Sequence, residues 1–256
     1  MMTKSQELKV TNMSEPGHLN IHPGLNPEPF SCTIDDIEKA EDGTWATLDR
    51  TFFYPTGGGQ PADHGTLSDG VNELRVVNVT GKGGVRHQLE HCEAIDEMRG
   101  VELRATIDIE RRNELCRMHT AQHLISAVAD EFWGGRTVGN QIRLDCTRID
   151  LGFENRDQFD REMLQQSVNE YVKADLPISM DFQERSVLVQ NPLVRVNMDL
   201  IPKHIDNLRV ITIEGVDICP CAGTHVERTG QIGQIEIGKI RSKGAGKLRV
   251  EYTLND

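Results

Sequence analysis

The first half of the chain, from residue 30 to residue 108, alternates short apolar runs with clusters of turn residues. The apolar runs cover residues 44–48, 74–79, 85–89 and 101–107, and glycines at 57–59, 70, 81, 83 and 84 separate them. Strands this short, at such spacing, are typical of small barrels and compact all-β modules. The pattern therefore predicts a small β-barrel over residues 30–108.

At Asp108 the pattern changes to apolar positions three or four residues apart, which is the spacing of a helix with one buried face. These positions are Leu115, Met118, Ile125, Val128 and Phe132. Asp108 is a suitable N-cap, and Gly134 a suitable residue to follow the last turn. We expect a long helix that begins after Asp108 and ends near Phe132.

The second half mixes one more helix with further strands. A helix is predicted over residues 156–174, since Pro177 follows it closely. Apolar runs predict strands over residues 178–182, 208–213, 232–240 and 248–254, and a glycine-rich turn separates the last two. This order fits an α+β domain over residues 109–256 with helices on an antiparallel sheet. Residues 1–29 are polar, lack periodicity and read as a flexible lead-in.

Composition narrows the class of protein. The 28 basic and 40 acidic residues leave a net charge of −12, so a polyanionic partner would have to meet a local basic patch. The sequence contains no signal peptide and no apolar run of about 18 residues. A cytoplasmic protein without a membrane partner is expected, in which the six cysteines favour metal chemistry over disulfides.

Two distant motifs carry the candidate chemistry. His119 and His123 are four residues apart on the predicted helix and so share one face, and Cys221 and His225 repeat that spacing downstream. Three imidazoles and a thiol form a ligand set that suits zinc better than calcium or magnesium. The sequence therefore predicts a zinc site built from two segments.

Three points about that site stay open at this stage. Zinc peptidases with a helical histidine pair need Glu directly after the first histidine, and Thr120 in that position argues against a peptidase. Cys219 could bind in place of Cys221, although the four-residue spacing to His225 favours Cys221. Four protein ligands would make a closed structural site, whereas three would leave a position for water.

The blocks His119 to His123, Cys221 to His225, and Gly57-Gly58-Gly59-Gln60 together resemble the editing domain of alanyl-tRNA synthetases. They resemble more closely the free-standing alanyl-tRNA editing proteins of the AlaX type, in their medium-length class. The resemblance implies a small barrel that bears the GGGQ motif, an editing domain and no adenylation domain. It also implies that His119, His123, Cys221 and His225 bind zinc, and that the protein hydrolyses tRNA(Ala) charged with serine or glycine.

Further roles follow from the resemblance and from charge. Thr137 corresponds to a hydroxyl that reads the amino acid, and Asp150 to an acidic position of catalytic or structural use. Gly57, Gly58, Gly59 and Gln60 form either a tight turn or a surface that meets the RNA end. The cations Arg241, Lys243 and Lys247 flank glycines in the last hairpin and suggest contacts to phosphates, a solvated tip being the alternative.

Two other functions are compatible with these motifs. One is a non-catalytic RNA-binding module with structural zinc, and the other a zinc hydrolase of small esters or amides. The glycine block disfavours the second of these. Nothing in the sequence indicates the oligomeric state.

Overall fold

The computed structural model describes residues 15–91, 93–191, 194–196, 198, 201–244 and 246–255. A closed six-stranded barrel is followed by helices and antiparallel sheets, which confirms the predicted α+β class. In the described part of the chain, no helix is long and apolar enough to cross a membrane.

The barrel is built from strands in the first half of the chain. Strands β1 to β8 are Glu15–Pro16, Phe30–Ala40, Gly43–Leu48, Arg50–Thr51, Gly65–Ser68, Glu73–Thr80, Arg86–Leu89 and Glu102–Ile107. The barrel closes in the order β2-β3-β7-β6-β5-β8. Along β8, exposed and buried residues alternate strictly, so one face fills the interior with side chains such as Leu103.

The predicted long helix is present as α1 (Ile109–Trp133) and begins directly after the barrel. The carboxylate of Asp108 accepts a hydrogen bond of 3.0 Å from the backbone N–H of Arg111, which caps the first turn. Gly134 ends the helix in the left-handed region, with a φ of 62°. Capping residues thus fix both ends of the element that carries the histidine pair.

The second half contains two sheets, which pack with the helices. Strands β9 to β15 are Arg136–Gln141, Thr147–Gly152, Ile178–Glu184, Asn207–Ile213, Asp217–Pro220, Gln234–Ser242 and Lys247–Asn255, and helices α2 and α3 are Arg161–Lys173 and Arg185–Gln190. One sheet has the order β14-β15-β10-β9 and the other β11-β12-β13. Helix α2 starts later than predicted because Asp160 caps it, accepting 2.8 Å from the N–H of Met163.

The segment of residues 15–29, called the N-terminal strap below, differs from the predicted flexible lead-in; residues 1–14 lie outside the described part. Strand β1 pairs with β4 of the barrel half, and His18 is buried. The guanidinium of Arg209 on β12 donates to the carbonyl of Ile21 at 3.0 Å. Gly24 N–H donates to the carbonyl of His225 at 2.9 Å. The strap therefore bonds to both halves, and one of its carbonyls accepts from the buried Arg209 cation.

A buried ion pair joins the barrel to α1. Arg112 and Asp63 are each only 1 % exposed, and two guanidinium nitrogens of Arg112 donate to the carboxylate. Arg112 also donates to the carbonyl of Phe52 at 2.8 Å, and the N–H of Tyr54 donates to Asp63 at 2.6 Å. The pair thereby fixes the chain on both sides of the GGGQ motif against the helix.

We expect the Asp63→Ala variant to lower the free energy of unfolding by about 3–5 kcal/mol, because it leaves the buried Arg112 cation uncompensated. Urea unfolding followed by circular dichroism measures the change. Asp96→Ala, which breaks the exposed pair with Lys39 (2.7 Å), should cost less than about 1 kcal/mol. Equal losses in the two variants would show that the buried pair has no special role.

Candidate metal centre

The structure brings the two predicted ligand pairs together. His119 and His123 lie on consecutive turns of α1, and Cys221 and His225 lie in the loop that follows β13. One donor atom from each residue falls in a cluster in which all distances are within 4.8 Å. The Sγ of Cys221 is 3.6 Å from Nε2 of His119 and 3.4 Å from Nε2 of His225.

These distances fit a zinc ion. Zinc binds thiolate sulfur at about 2.3 Å and imidazole nitrogen at about 2.0–2.1 Å, so a tetrahedral angle separates the two donors by about 3.6 Å. The histidines are 2–4 % exposed, which keeps competing water away from the donors. The four side chains can therefore hold one metal ion, and the two distances from Cys221 fit those expected for tetrahedral zinc.

Gln60 fixes the orientation of His119. The Oε1 of Gln60 accepts from the backbone N–H of Thr224 at 3.1 Å, and its Nε2 donates to the hydroxyl of the same threonine at 2.9 Å. The Nδ1 of His119 is 2.7 Å from that Oε1 and must be the protonated nitrogen, because a carbonyl oxygen can only accept. The lone pair on Nε2 of His119 is thus left for the metal.

The other two histidines are fixed in the same tautomer. The Nδ1 of His123 donates to Asp217 at 2.8 Å. The hydroxyl of Thr120 donates to the carbonyl of Cys116 at 2.8 Å, and so accepts from Nδ1 of His225 at 3.2 Å. Partners of this kind orient metal-binding imidazoles and raise their basicity.

The electrostatics of the cluster favour the ligand form of the thiol. Burial raises the pKa of Cys221, but the neighbouring His119 and His225 outweigh it and hold the pKa well below its usual value. Burial, together with His119, lowers the pKa of His225 to about 3. For His123 burial acts downward, whereas the bond to Asp217 and the thiol raise its pKa to about 10, so a bound metal would take the place of the proton on its second ring nitrogen. The lowered pKa of Cys221 favours the thiolate, which is the form that binds metals.

Cys219 on β13 is a weaker candidate for the metal ligand than Cys221 in the loop that follows. Its sulfur lies near His123 and Asp217, but Arg195 forms an ion pair with Asp217 and brings a fixed positive charge to that position. Burial and the charge of Asp217 raise the pKa of Cys219 well above its usual value, so it remains a neutral thiol. These contacts favour Cys221 as the metal ligand.

The GGGQ motif forms a tight turn whose last residue enters the metal centre. Gly57 and Gln60 exchange backbone hydrogen bonds of 3.1 and 2.9 Å, with Gly58 at φ 57° and Gly59 at φ 87°. A Cβ on Gly59 would overlap the side-chain amide of Asn140. Gln60 is fully buried, so its predicted contact with RNA is replaced by the bonds to His119 and Thr224.

A cleft of about 420 Å³ opens above the candidate ligands. Its floor is bordered by His119, His123 and Cys221. The side formed by the barrel half is bordered by Gly57 and Gly58. Small-molecule sites have volumes of this order. The cleft is therefore large enough for the end of a substrate to reach the metal centre.

Thr137 on β9 borders the opposite side of the cleft. Its Oγ1 is 2.8 Å from Oγ of Ser126, to which the amide of Gln122 donates at 2.7 Å. Asn140 in turn donates to Gln122 at 3.3 Å. Thr137 was predicted from the sequence, but the polar side chains behind it, Ser126, Gln122 and Asn140, were not. Ser126 and Gln122 of α1 border the cleft because β9 lies beside the helix.

Asp150 lies outside this cleft. Both of its oxygens accept from Arg249 on the neighbouring strand, at 2.6 and 2.7 Å, and this bond holds the pKa of Asp150 below its ordinary value. The carboxylate is thus committed to an ion pair across the sheet. Of the two roles that the sequence left open for Asp150, this geometry favours the structural one.

The basic hairpin lies at the turn between β14 and β15. Arg241 pairs with Glu251 at 3.3 Å, whereas Lys243 and Lys247 form no ion pair within the described residues. Lys247 borders a surface groove of about 540 Å³, together with Arg136 and Val138, which also border the cleft. The groove beside the hairpin and the cleft at the metal centre thus share Arg136 and Val138 on their borders.

Comparison with known proteins identifies the family. The chain is 34 % identical over 230 residues to the alanyl-tRNA editing protein AlaX-M of Methanosarcina acetivorans, which covers 86 % of this chain and 93 % of that protein. This chain belongs to the family of alanyl-tRNA editing proteins. It is also 31 % identical to AlaX-L of Pyrococcus horikoshii, of which it spans 56 %, and 33 % identical to an alanine–tRNA ligase of Halorubrum lacusprofundi, of which it spans 24 %.

Family models match two parts of this editing-family chain. Residues 208–251 match the threonyl and alanyl tRNA synthetase second additional domain, and this stretch contains Cys221 and His225. Residues 32–111 match class II (A) tRNA synthetases and cover the barrel. The resemblance inferred from the motifs is thereby confirmed.

Asp217 was not predicted from the sequence, because no local pattern marks a residue that reaches a histidine 94 positions earlier.

We expect Asp217→Asn to weaken zinc binding by about 10- to 100-fold, since an amide polarises His123 less than a carboxylate does. Competition with a chelating dye measures the affinity. Asp181→Asn, an exposed substitution on β11 of the same sheet, should leave it unchanged. Identical affinities of the two variants would contradict the role of Asp217.

Proposed function

We propose that this protein is a zinc-dependent trans-editing hydrolase that removes serine or glycine from mischarged tRNA(Ala). The observation that carries the proposal is the candidate metal centre at the cleft, where donor atoms of three imidazoles and one thiol converge and where His119, His123 and Cys221 border the cleft itself. The names of the relatives add the substrate class, alanyl-tRNA. A cytoplasmic location, where charged tRNA is used, fits this activity.

The need for such an enzyme follows from the limits of binding selectivity. A pocket for alanine gains only about 1–3 kcal/mol over glycine, because the two differ by one methyl group, and it rejects the added hydroxyl of serine poorly. A separate site that hydrolyses the wrong products restores accuracy.

The reaction consumes one water molecule. The water oxygen forms a bond to the ester carbonyl carbon, the bond from that carbon to the ribose oxygen breaks, and the ribose oxygen receives a proton. Zinc would be held by His119, His123, Cys221 and His225 and would supply Lewis acidity towards the ester or the water. The protein itself holds the aminoacyl end in the cleft, with Gly57 and Gly58 allowing close approach on the barrel side.

Thr137 is suited to read the amino acid. Ser126 accepts from Gln122 and so has its own proton available for Thr137, whose hydroxyl can then donate to an oxygen in the cleft. We assign Thr137 to contact with the side chain of the aminoacyl group.

We also propose that the chain divides into a barrel domain over residues 30–108 and an editing domain over residues 109–256, with the cleft between them.

A second candidate function is a non-catalytic RNA-binding module with structural zinc. The observation in its favour is that four protein donors converge, as is typical of closed structural zinc sites. Deacylation and tRNA-binding measurements separate this module from the editing hydrolase, because only the hydrolase turns over its substrate.

We expect zinc-loaded protein to deacylate Ser-tRNA(Ala) or Gly-tRNA(Ala) and to spare Ala-tRNA(Ala). Cys221→Ala should lower kcat/KM by more than about 100-fold, since it removes a ligand rather than a residue that supports one. Release of labelled amino acid measures the rate. Cys146→Ala, a substitution of a half-buried cysteine outside the cleft, is the matched control.

Failure of the zinc-loaded protein to release serine or glycine would overturn the editing function. Binding of tRNA without turnover, and loss of binding on chelation, would support the structural-zinc module instead. Hydrolysis of small esters that neither salt nor tRNA affects would point to a hydrolase unrelated to RNA.

We further propose that Arg241, Lys243 and Lys247 contact tRNA phosphates. The double variant Lys243→Glu/Lys247→Glu should raise KM for Ser-tRNA(Ala) and reduce the slope of log affinity against log salt by about 1–2. Filter binding over a salt series measures that slope. The charge-matched pair Lys173→Glu/Lys203→Glu, on exposed residues outside the hairpin, should leave the slope unchanged. Equal slopes in both double variants would exclude the hairpin from the interface.

A further inference from the structure

A small cavity lies between the N-terminal strap and α1, and three polar atoms of residues that border it have no partner among the described residues. His18, Arg112 and Arg209 border it, and it leaves about 10 Å³ for the centre of a water molecule, the room that one water needs. Three fully buried atoms of these residues make no hydrogen bond within the described chain: Nδ1 of His18, Nη1 of Arg112 and Nε of Arg209. Side chains this deeply buried are rarely left unpaired.

The remaining groups of both arginines are already committed. Arg112 bonds to Asp63 and to the carbonyl of Phe52. The guanidinium of Arg209 donates to the carbonyls of Cys221 at 2.9 Å and Gly223 at 2.8 Å, besides that of Ile21. A guanidinium can only donate, so the two nitrogens without a partner, Nη1 of Arg112 and Nε of Arg209, need an acceptor.

The His18 ring borders the cleft as well as the cavity. It stands edge-on to the ring of Tyr54, with 5.5 Å between centroids, and the Tyr54 hydroxyl is committed to the carbonyl of Gly57 at 2.8 Å. Among the described residues no group bonds to Nε2 of His18. One imidazole thus separates the buried arginines from the space where a substrate would lie.

We propose that the cavity is a built site for one water molecule, which accepts from Arg112 and Arg209 and donates to Nδ1 of His18. The bond fixes the tautomer of His18 and leaves its Nε2–H as a donor to an oxygen at the aminoacyl end of the substrate. The water site stands on the cavity alone, whereas the substrate contact rests on the proposed function.

The surroundings of His18 support a neutral ring in this tautomer. Burial, followed by the charges of Arg112 and Arg209, lowers the pKa of His18 to about 3, so the imidazole carries a single proton at working pH. Because Nδ1 faces two obligate donors through the water, the proton resides on Nε2. The strap that carries His18 also bonds to the carbonyl of His225, which ties this donor to the metal centre.

The water site is tested without substrate. Nitrogen-15 spectra of zinc-loaded, histidine-labelled protein should show His18 neutral and protonated on Nε2 from pH 5.5 to 8.5, and a crystal structure should show one water bonded to the three named atoms. A proton on Nδ1, an imidazolium above pH 5.5, or a bromide ion in the cavity after soaking would overturn the site.

The substrate contact is tested by three variants whose side chains keep different parts of the imidazole. His18→Gln can place an N–H near the Nε2 position, His18→Asn an acceptor near the Nδ1 position, and His18→Phe keeps only the ring shape. We expect kcat/KM for Ser-tRNA(Ala) to fall about three- to tenfold in His18→Asn and His18→Phe, the worth of one hydrogen bond, and less than about twofold in His18→Gln.

The Tm values of the three His18 variants should follow a different order from their activities. His18→Asn should keep the Tm, while His18→Gln and His18→Phe lower it, because both lose the acceptor for the cavity water. The exposed His91→Phe variant is the control for both measurements. Equal activity of His18→Gln and His18→Asn would overturn the contact. Absence of any deacylation by the parent protein would instead overturn the proposed function, with the spectra still deciding the water site.

Discussion

The buried amide of Gln60 is the interaction on which the metal centre depends. It belongs to the barrel half, yet it bonds to His119 on the helix and to Thr224 in the loop that carries the other two ligands. Its position requires close backbone approach on both sides. A Cβ on Gly223 would overlap the His119 ring, and the buried Arg112–Asp63 pair holds the chain that follows the GGGQ turn. Neither half therefore builds this centre by itself.

The same constraint places the cleft at the junction of the two halves. The glycine turn forms one side, β9 the other, and the N-terminal strap closes a third with His18. The charge of the chain fits this arrangement, because a net −12 would repel a polyanion from most of the surface. Lys247 borders a groove that shares Arg136 and Val138 with the cleft, so the proposed attraction of a tRNA is local.

Sequence reasoning succeeded where the signal is local. The caps Asp108 and Gly134 mark α1, and the four-residue spacings mark both ligand pairs. Strand β9 was missed because its residues, half of them exposed, do not alternate. Strand β10 was overlooked although it does alternate, with Thr147, Ile149 and Leu151 buried and the residues between them partly buried. The bonds of Gln60 and Asp217 join residues 59 and 94 positions away. Such contacts depend on tertiary structure, which one sequence does not display.

The helical histidine pair alone does not decide the chemistry; its neighbours do. Where a zinc peptidase carries a glutamate base, this chain has Thr120, whose hydroxyl orients His225 instead. Among the residues that the structure describes, two carboxylates border the cleft, Asp130 and Asp217, and they are ion-paired with Arg136 and Arg195. Neither is free to serve as a strong base. An amide substrate would need such a base, whereas an aminoacyl ester is reactive enough for positioning and Lewis acidity to suffice. The paired state of these carboxylates thus argues for an ester as the substrate bond, as in charged tRNA.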